Sequence, residues 1–229
     1  LFTEWQKYDF FRLKIGQFKR PFTFENPLAP IEEGFMSYSQ AITKLSGFND
    51  RNGEQASNGR DIGLQIQGDF LKNGEGRNLL HYQIGVFNGQ GINTKDVDQR
   101  KDIIGGIWVM PVKGMRIGAF GWEGSVARKG SWTDENNQPQ TGVRSLPKYR
   151  YALSGEYITN DWTFRSEYVH STGKAFKTTI NSNEDNSKCD LNTTIGDKAD
   201  GFYGMVMAPV VSKKLYAKVR YDMYRPNAT

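Results

Sequence analysis

The stretch Tyr149-Arg150-Tyr151-Ala152-Leu153-Ser154-Gly155-Glu156-Tyr157-Ile158-Thr159-Asn160-Asp161-Trp162-Thr163-Phe164-Arg165-Ser166-Glu167-Tyr168 carries the reading that decides the fold. Tyr149, Tyr151, Leu153 and Tyr157 share one parity, and Arg150, Ser154 and Glu156 share the other. After Thr159-Asn160-Asp161, Trp162, Phe164 and Tyr168 alternate with Thr163, Arg165 and Glu167. Successive side chains of a strand point to opposite faces, so this pattern predicts two antiparallel strands joined by a tight turn. One face is aromatic and apolar, the other charged.

The same alternation recurs along the chain. Phe11, Leu13 and Ile15 alternate with Arg12 and Lys14; Ile62, Leu64 and Ile66 with Asp61, Gln65 and Gln67; Leu215, Ala217, Val219 and Tyr221 with Lys214, Lys218, Arg220 and Asp222. Strands are expected at 1–8, 10–18, 60–70, 79–88, 101–110, 114–124, 148–158, 162–172, 201–208 and 214–224, about ten in all. Residues 101–110 and 201–208 are apolar on both faces, as expected where something packs against an inner wall. The links alternate in length: 71–78, 111–113, 159–161 and 209–213 are short, whereas 89–100, 125–147 and 173–200 are long and polar. Short periplasmic turns and long outside loops are the signature of an antiparallel transmembrane β-barrel. A soluble β-sandwich that binds carbohydrate through the same aromatics is the alternative, and a non-conducting outer-membrane scaffold or adhesin is a third reading.

Composition agrees with a wide barrel. Apolar residues make up 37% of the 229 residues, low for a soluble core, while aromatics reach 13% and glycine 25 residues. No run approaches the roughly 18 apolar residues of a membrane helix, which excludes a helical bundle but not a barrel. The net charge of +5 comes without a Lys/Arg cluster, so nucleic acid is not expected as a partner. Cys189 is the only cysteine, which excludes an internal disulfide. Neither histidine, His81 or His170, lies in a hydrolase motif, and no enzyme activity or cofactor is expected. Asn88, Asn93, Asp96 and Asp98 do not match a calcium loop, and no metal site is expected.

Link parity makes residues 19–59 one long outside loop. Within it Phe35, Tyr38, Ile42 and Leu45 fall at helix spacing, with Glu32 and Glu33 upstream where a helix N-terminus favours acids. The expectation is a short helix inside the loop that either folds into the lumen as a constriction or lies over the barrel mouth. The chain is expected to be a single, incomplete barrel domain over 1–229, since its last residues are loop-like and lack a terminal aromatic strand.

Leu13-Lys14-Ile15-Gly16-Gln17-Phe18-Lys19-Arg20-Pro21-Phe22, Arg60-Asp61-Ile62-Gly63-Leu64-Gln65 and Tyr82-Gln83-Ile84-Gly85-Val86-Phe87-Asn88-Gly89-Gln90-Gly91 together resemble the phosphate-selective porin O and P family in its Bacteroidetes-like form. The likeness is strongest over residues 10–125. It implies a bacterial outer-membrane barrel of around sixteen strands, a homotrimer, that passes anions passively. It transfers no phosphate ladder residue by residue.

Arg or Lys on the lipid face costs about 2–4 kcal/mol at the midplane, so the charged faces are expected to look inward. Arg12, Lys14, Lys19, Arg20, Arg116, Arg150, Arg165, Lys218 and Arg220 are the pore-lining candidates, with Asp61, Glu156, Glu167 and Asp222 beside them. Rings of basic groups favour anions, and the acids offset this, giving a porin for small hydrophilic solutes with weak anion preference. Trp122, Tyr157, Trp162, Tyr168, Tyr221 and Tyr224 are the candidates for interfacial girdles against the lipid bilayer.

Overall fold

The structure, a computed structural model, describes residues 1–54, 56–180, 187–212 and 214–228. Ten strands form one antiparallel sheet: β1 (Phe2–Tyr8), β2 (Phe11–Lys19), β3 (Arg60–Lys72), β4 (Asn78–Phe87), β5 (Asp102–Val109), β6 (Met115–Thr133), β7 (Pro139–Thr159), β8 (Trp162–Thr172), β9 (Lys198–Val211) and β10 (Leu215–Arg225). Each strand pairs with its neighbour in sequence, in the order β1 to β10. Among the described residues β1 and β10 do not pair, so the sheet is not closed into a barrel. Among the described residues the only helices are α1 (Pro30–Glu33) and α2 (Gln40–Leu45), both between β2 and β3.

The register carries the sequence alternation coherently across the sheet. Ile15 faces Leu64, Leu64 faces Val86, and Val86 faces Ile103. Further along, Ile117 faces Gly155, Tyr157 faces Phe164, and Phe164 faces Val206. Because pairing preserves facing, these residues share one side of the sheet. Ile15, Leu64, Val86, Ile103, Ile117, Tyr149, Leu153, Phe164 and Val219 are all exposed there. On that outer side Phe10 stacks on Phe70, Phe70 on Tyr82, and Trp162 on Phe164.

The opposite, inner face is covered by the segment after β2. Tyr38 shows how the sheet accommodates it. Its hydroxyl accepts from Lys19 Nζ on β2 at 2.7 Å, and its carbonyl accepts from Arg220 Nη2 on β10 at 3.3 Å. Eight strand spacings separate β2 from β10, about 38 Å in a flat sheet. Three side chains cannot span that distance, so the sheet curls around the segment. Phe22, Phe24, Ala41, Ile42 and Leu45 from the segment and Phe87, Ile104, Phe120, Trp122 and Val169 from the wall form the main apolar cluster. Ile104 and Tyr203 supply the inward apolar positions of the two strands that read as apolar on both faces.

Three expectations change. The link expected over 125–147 is mostly strand: β6 and β7 run on to Thr133 and back from Pro139, pairing Ser125 with Pro147 and Arg128 with Arg144. Here the hairpin packs not on the main cluster but on a second one of Val126, Leu146, Phe176 and Cys189, so its polar sequence has no outer apolar parity to read. The helix expected over 35–45 begins only at Gln40, where Ser39 caps it by accepting from the Ile42 N–H at 3.2 Å. Phe35 and Tyr38 precede it, and the acids at 32 and 33 belong to α1. Trp122 and Tyr224 point inward onto the main cluster, away from any lipid-facing girdle. The sheet of about ten antiparallel strands expected of the chain is present, open along β1 and β10.

Ile42 is fully buried between the segment and the wall. Ile42→Ala is expected to cost about 2–5 kcal/mol of docking, because the wall cannot collapse onto the vacated volume. Limited proteolysis should cut within residues 20–54 faster while far-ultraviolet circular dichroism of the sheet stays unchanged.

Candidate functional site on the inner face

Arg20 follows the last residue of β2, and its guanidinium is fully buried. It donates through Nη1 to Glu54 Oε1 at 2.6 Å and through Nη2 to Asp61 Oδ2 at 3.0 Å. Lys148 on β7 donates to the other Glu54 oxygen at 2.5 Å and lies 3.4 Å from Asp102 on β5. Arg150, two positions along β7, forks onto Asp50 through Nη1 at 2.7 Å and Nη2 at 2.6 Å, and also donates to the Asn52 side chain and the Leu45 carbonyl. A bidentate fork of this kind fixes orientation as well as charge.

Trp122 sits at the centre of these cations. Lys148 Nζ lies 4.5 Å from its ring, the Arg150 guanidinium 4.6 Å and the Arg20 guanidinium 4.8 Å, while its indole N–H donates to Asp102 at 2.7 Å. Three cations (Arg20, Lys148, Arg150) thus meet four carboxylates (Asp50, Glu54, Asp61, Asp102) around one aromatic ring. Burial would push the Glu54 carboxyl up, but Arg20, Lys148 and Arg150 outweigh it and hold it down at about 2.

A second network lies toward the short turns. The Glu167 carboxylate accepts from the Phe24 N–H at 2.7 Å, the Glu25 N–H at 2.8 Å, the Tyr203 hydroxyl at 2.7 Å and the Ser154 hydroxyl. Glu156 is shared by Arg116 at 2.7 Å and Arg165 at 2.6 Å, and Arg116 lies flat over Phe24 at 4.0 Å. The segment's backbone is therefore held by wall side chains, and the wall's cations by segment side chains.

The remaining candidates fall on the same face. Arg12 pairs with Asp69, and Lys14 lies 3.8 Å from Glu4. Lys19 donates to the Leu28 carbonyl at 2.5 Å as well as to Tyr38. Lys218 and Arg220 lie over the Phe35 ring at 5.0 and 4.5 Å, and Arg220 also donates to Asp222 at 2.7 Å. Of the four segment residues, Ile42 and Leu45 are fully buried, whereas Phe35 and Tyr38 meet the cations of β2 and β10. Arg20 and Arg150 line no open channel: both are sealed beneath the segment.

Sequence reading missed Asp50, Glu54, Asp102 and Lys148. Asp50 and Glu54 lie in a stretch without periodicity, and Asp102 and Lys148 stand at the ends of expected strands. The usable signal was the continuation of β7, which puts Lys148 on the same parity as Arg150. Asp96 and Asp98 serve the loop itself, with Asp98 accepting from Ser125 and Ser145 and Asp96 pairing with Lys101. Among the described residues no cluster of His, Cys, Asp and Glu could hold a metal ion. No protein-family model, curated protein or solved structure matches the chain.

Glu54→Gln leaves Arg20 and Lys148 short of a charge in a dry site and is expected to cost about 3–5 kcal/mol, read by denaturation followed through tryptophan fluorescence. Removing the cations as well, in Arg20→Met/Glu54→Met/Lys148→Met, strands Asp61 and Asp102, which the same two cations hold, and should not recover that loss. The pH dependence has a definite sign. The Glu54 carboxyl is depressed from 4.5 to about 2, so its contribution is complete above pH 4.5 and fades as pH falls toward 2. Near-ultraviolet circular dichroism should report an unchanged Trp122 environment down to about pH 4 and its loss below that.

Proposed function

We propose that the chain forms part of the wall of a bacterial outer-membrane porin, a passive diffusion channel for small hydrophilic solutes, with the segment 20–54 as its constriction. The observation that carries this reading is the division between the two faces. The outer face exposes a continuous band of Ile, Leu and Val with aromatics above and below it. The inner face holds the charges and the docked segment. On β7 the outer aromatics Tyr149 and Tyr157 are eight residues apart, roughly 27 Å along the strand and about 21 Å along the axis of a barrel tilted near 40°, comparable with the roughly 25 Å apolar band of such barrels. A soluble protein with that much exposed apolar surface would aggregate.

Hydrocarbon tolerates no unpaired strand edge. In a membrane the free sides of β1 and β10 must therefore be paired by further strands, so the ten strands are an arc of a larger barrel. The resemblance to phosphate-selective porins points the same way. Weak anion preference belongs to the same reading, from the net charge of +5 and the basic residues Arg116, Arg165, Lys218 and Arg220 on the inner face. A β-sandwich would bury its apolar positions between two sheets, whereas here there is one sheet. The occupied inner face also suits a non-conducting barrel, and conductance separates the two.

The protein is expected to need detergent for extraction and to give discrete conductance steps in planar bilayers, with a reversal potential on the anion side in a potassium chloride gradient. Arg165→Gln and Lys218→Gln should each move that potential toward zero. A protein that is monodisperse and folded without detergent sinks the membrane reading; a folded, inserted protein that conducts nothing leaves the scaffold.

A further inference from the structure

One cavity opens between the docked segment and the wall. It has a volume of about 240 Å³ and is roofed by Thr23, Phe24, Pro27 and Leu28, with Gln67, His81, Gln83, Trp108 and Arg116 as its floor. The floor belongs to β3, β4, β5 and β6, in the middle of the sheet, so its lining does not depend on how the edges are closed.

The polar groups here are unequal in what they have left to offer. Gln67 is already engaged at both ends of its amide, accepting from Gln65 and donating to Glu4, both at 2.7 Å. Arg116 is committed to Glu156 and to the Phe24 ring. Gln83, by contrast, is 9% exposed, and its amide makes no hydrogen bond among the described residues. The amide is reached from the cavity, so both its N–H donors and its carbonyl are left for whatever occupies that space. His81 directs Nδ1 to Asp69 at 2.8 Å, and Asp69 is anchored by Arg12. With the proton on Nδ1, Nε2 remains as an acceptor without a protein partner. The His81 ring stacks on Trp108 with centroids 3.9 Å apart, which fixes both rings. The Trp108 indole N–H likewise makes no hydrogen bond among the described residues.

We infer that this cavity is a binding subsite for a neutral, hydroxyl-rich solute about the size of one sugar ring, held by the Gln83 amide, His81 Nε2 and the Trp108 ring. A hydroxyl both donates and accepts, and so matches an amide, an acceptor nitrogen and an indole N–H together. Sugar rings lay their C–H faces on aromatic planes. An anion is disfavoured because both nearby cations already hold a carboxylate, Arg12 that of Asp69 and Arg116 that of Glu156. The subsite rests on the channel reading, since it is the lumen that would deliver solute to this face.

Isothermal titration of the detergent-solubilised full chain with D-glucose should give saturable binding with a dissociation constant of about 1–10 mM. Inorganic phosphate should bind at least roughly tenfold more weakly. Gln83→Leu, which keeps the volume, and His81→Phe, which keeps the ring stack, should each weaken glucose by roughly tenfold while circular dichroism stays unchanged. Glucose that does not bind, phosphate that binds more tightly, or glucose affinity unchanged in both folded variants would overturn the subsite. Conductance measured on the same preparation separates the two claims: a conducting protein without glucose binding loses only the subsite, and a glucose-binding protein without conductance loses only the channel.

Discussion

Arg20 clamps a loop shut. Its guanidinium reaches Asp61 at the start of the next strand and Glu54, 34 residues further along, near the end of the same segment. Closing a loop of that length costs chain entropy, though the cost grows only slowly with length. Fully buried charges gain strength from the dry surroundings only when every partner is in place. Lys148 makes the clamp tertiary, because it takes the second Glu54 oxygen from β7, far across the sheet. The loop, its two flanking strands and the opposite wall are thus fixed by one carboxylate, and the curl of the sheet follows from the need to bring β7 to Glu54.

That curl gives the two faces different tasks. On the outside, side chains stand apart and expose Ile, Leu and Val to whatever surrounds the sheet. On the inside they converge, and convergence needs small residues where rings crowd the wall. A Cβ on Gly106 would strike the Phe120 ring, and one on Gly124 would strike the Asp102 carboxylate. The plentiful glycine of the composition is in part the volume given up to the docked segment. The β6–β7 hairpin continues past this level and packs Val126 and Leu146 against Phe176 and Cys189, so the end with the long loops is capped by a second small core.

The strands were legible because each half-exposed strand writes its two environments directly into a period of two. The turns were legible too, down to Asn160 and Asp161, both at positive φ between β7 and β8. The extended hairpin was not, since Ala127-Arg128-Lys129-Gly130-Ser131 leaves the apolar band and no longer carries two contrasting faces. The helix was half legible. Phe35 and Tyr38 meet the same wall as Ile42 and Leu45 but from non-helical backbone, so spacing overran the true start, which Ser39 marks by its capping bond. The ion network was beyond the sequence for a different reason. Pairs such as Arg150 with Asp50 and Lys148 with Glu54 are about a hundred residues apart, and only the register of several strands brings them together.

A plug built of charges is not the most stable choice, since well-packed apolar residues often do as well or better than a buried ion pair. What charges add is direction. Greasy side chains would let the segment settle in several poses on a curved wall, while the fork of Arg150 on Asp50 and the two-sided grip on Glu54 admit one. If the segment is the constriction proposed above, a single pose is what it needs, because the free cross-section is set by where the segment lies. It is also what leaves the Gln83 amide facing a defined cavity: a segment free to shift would let a roof group satisfy it. The rigid seat of residues 20–54 and the defined cavity beneath it are therefore two consequences of the same clamp.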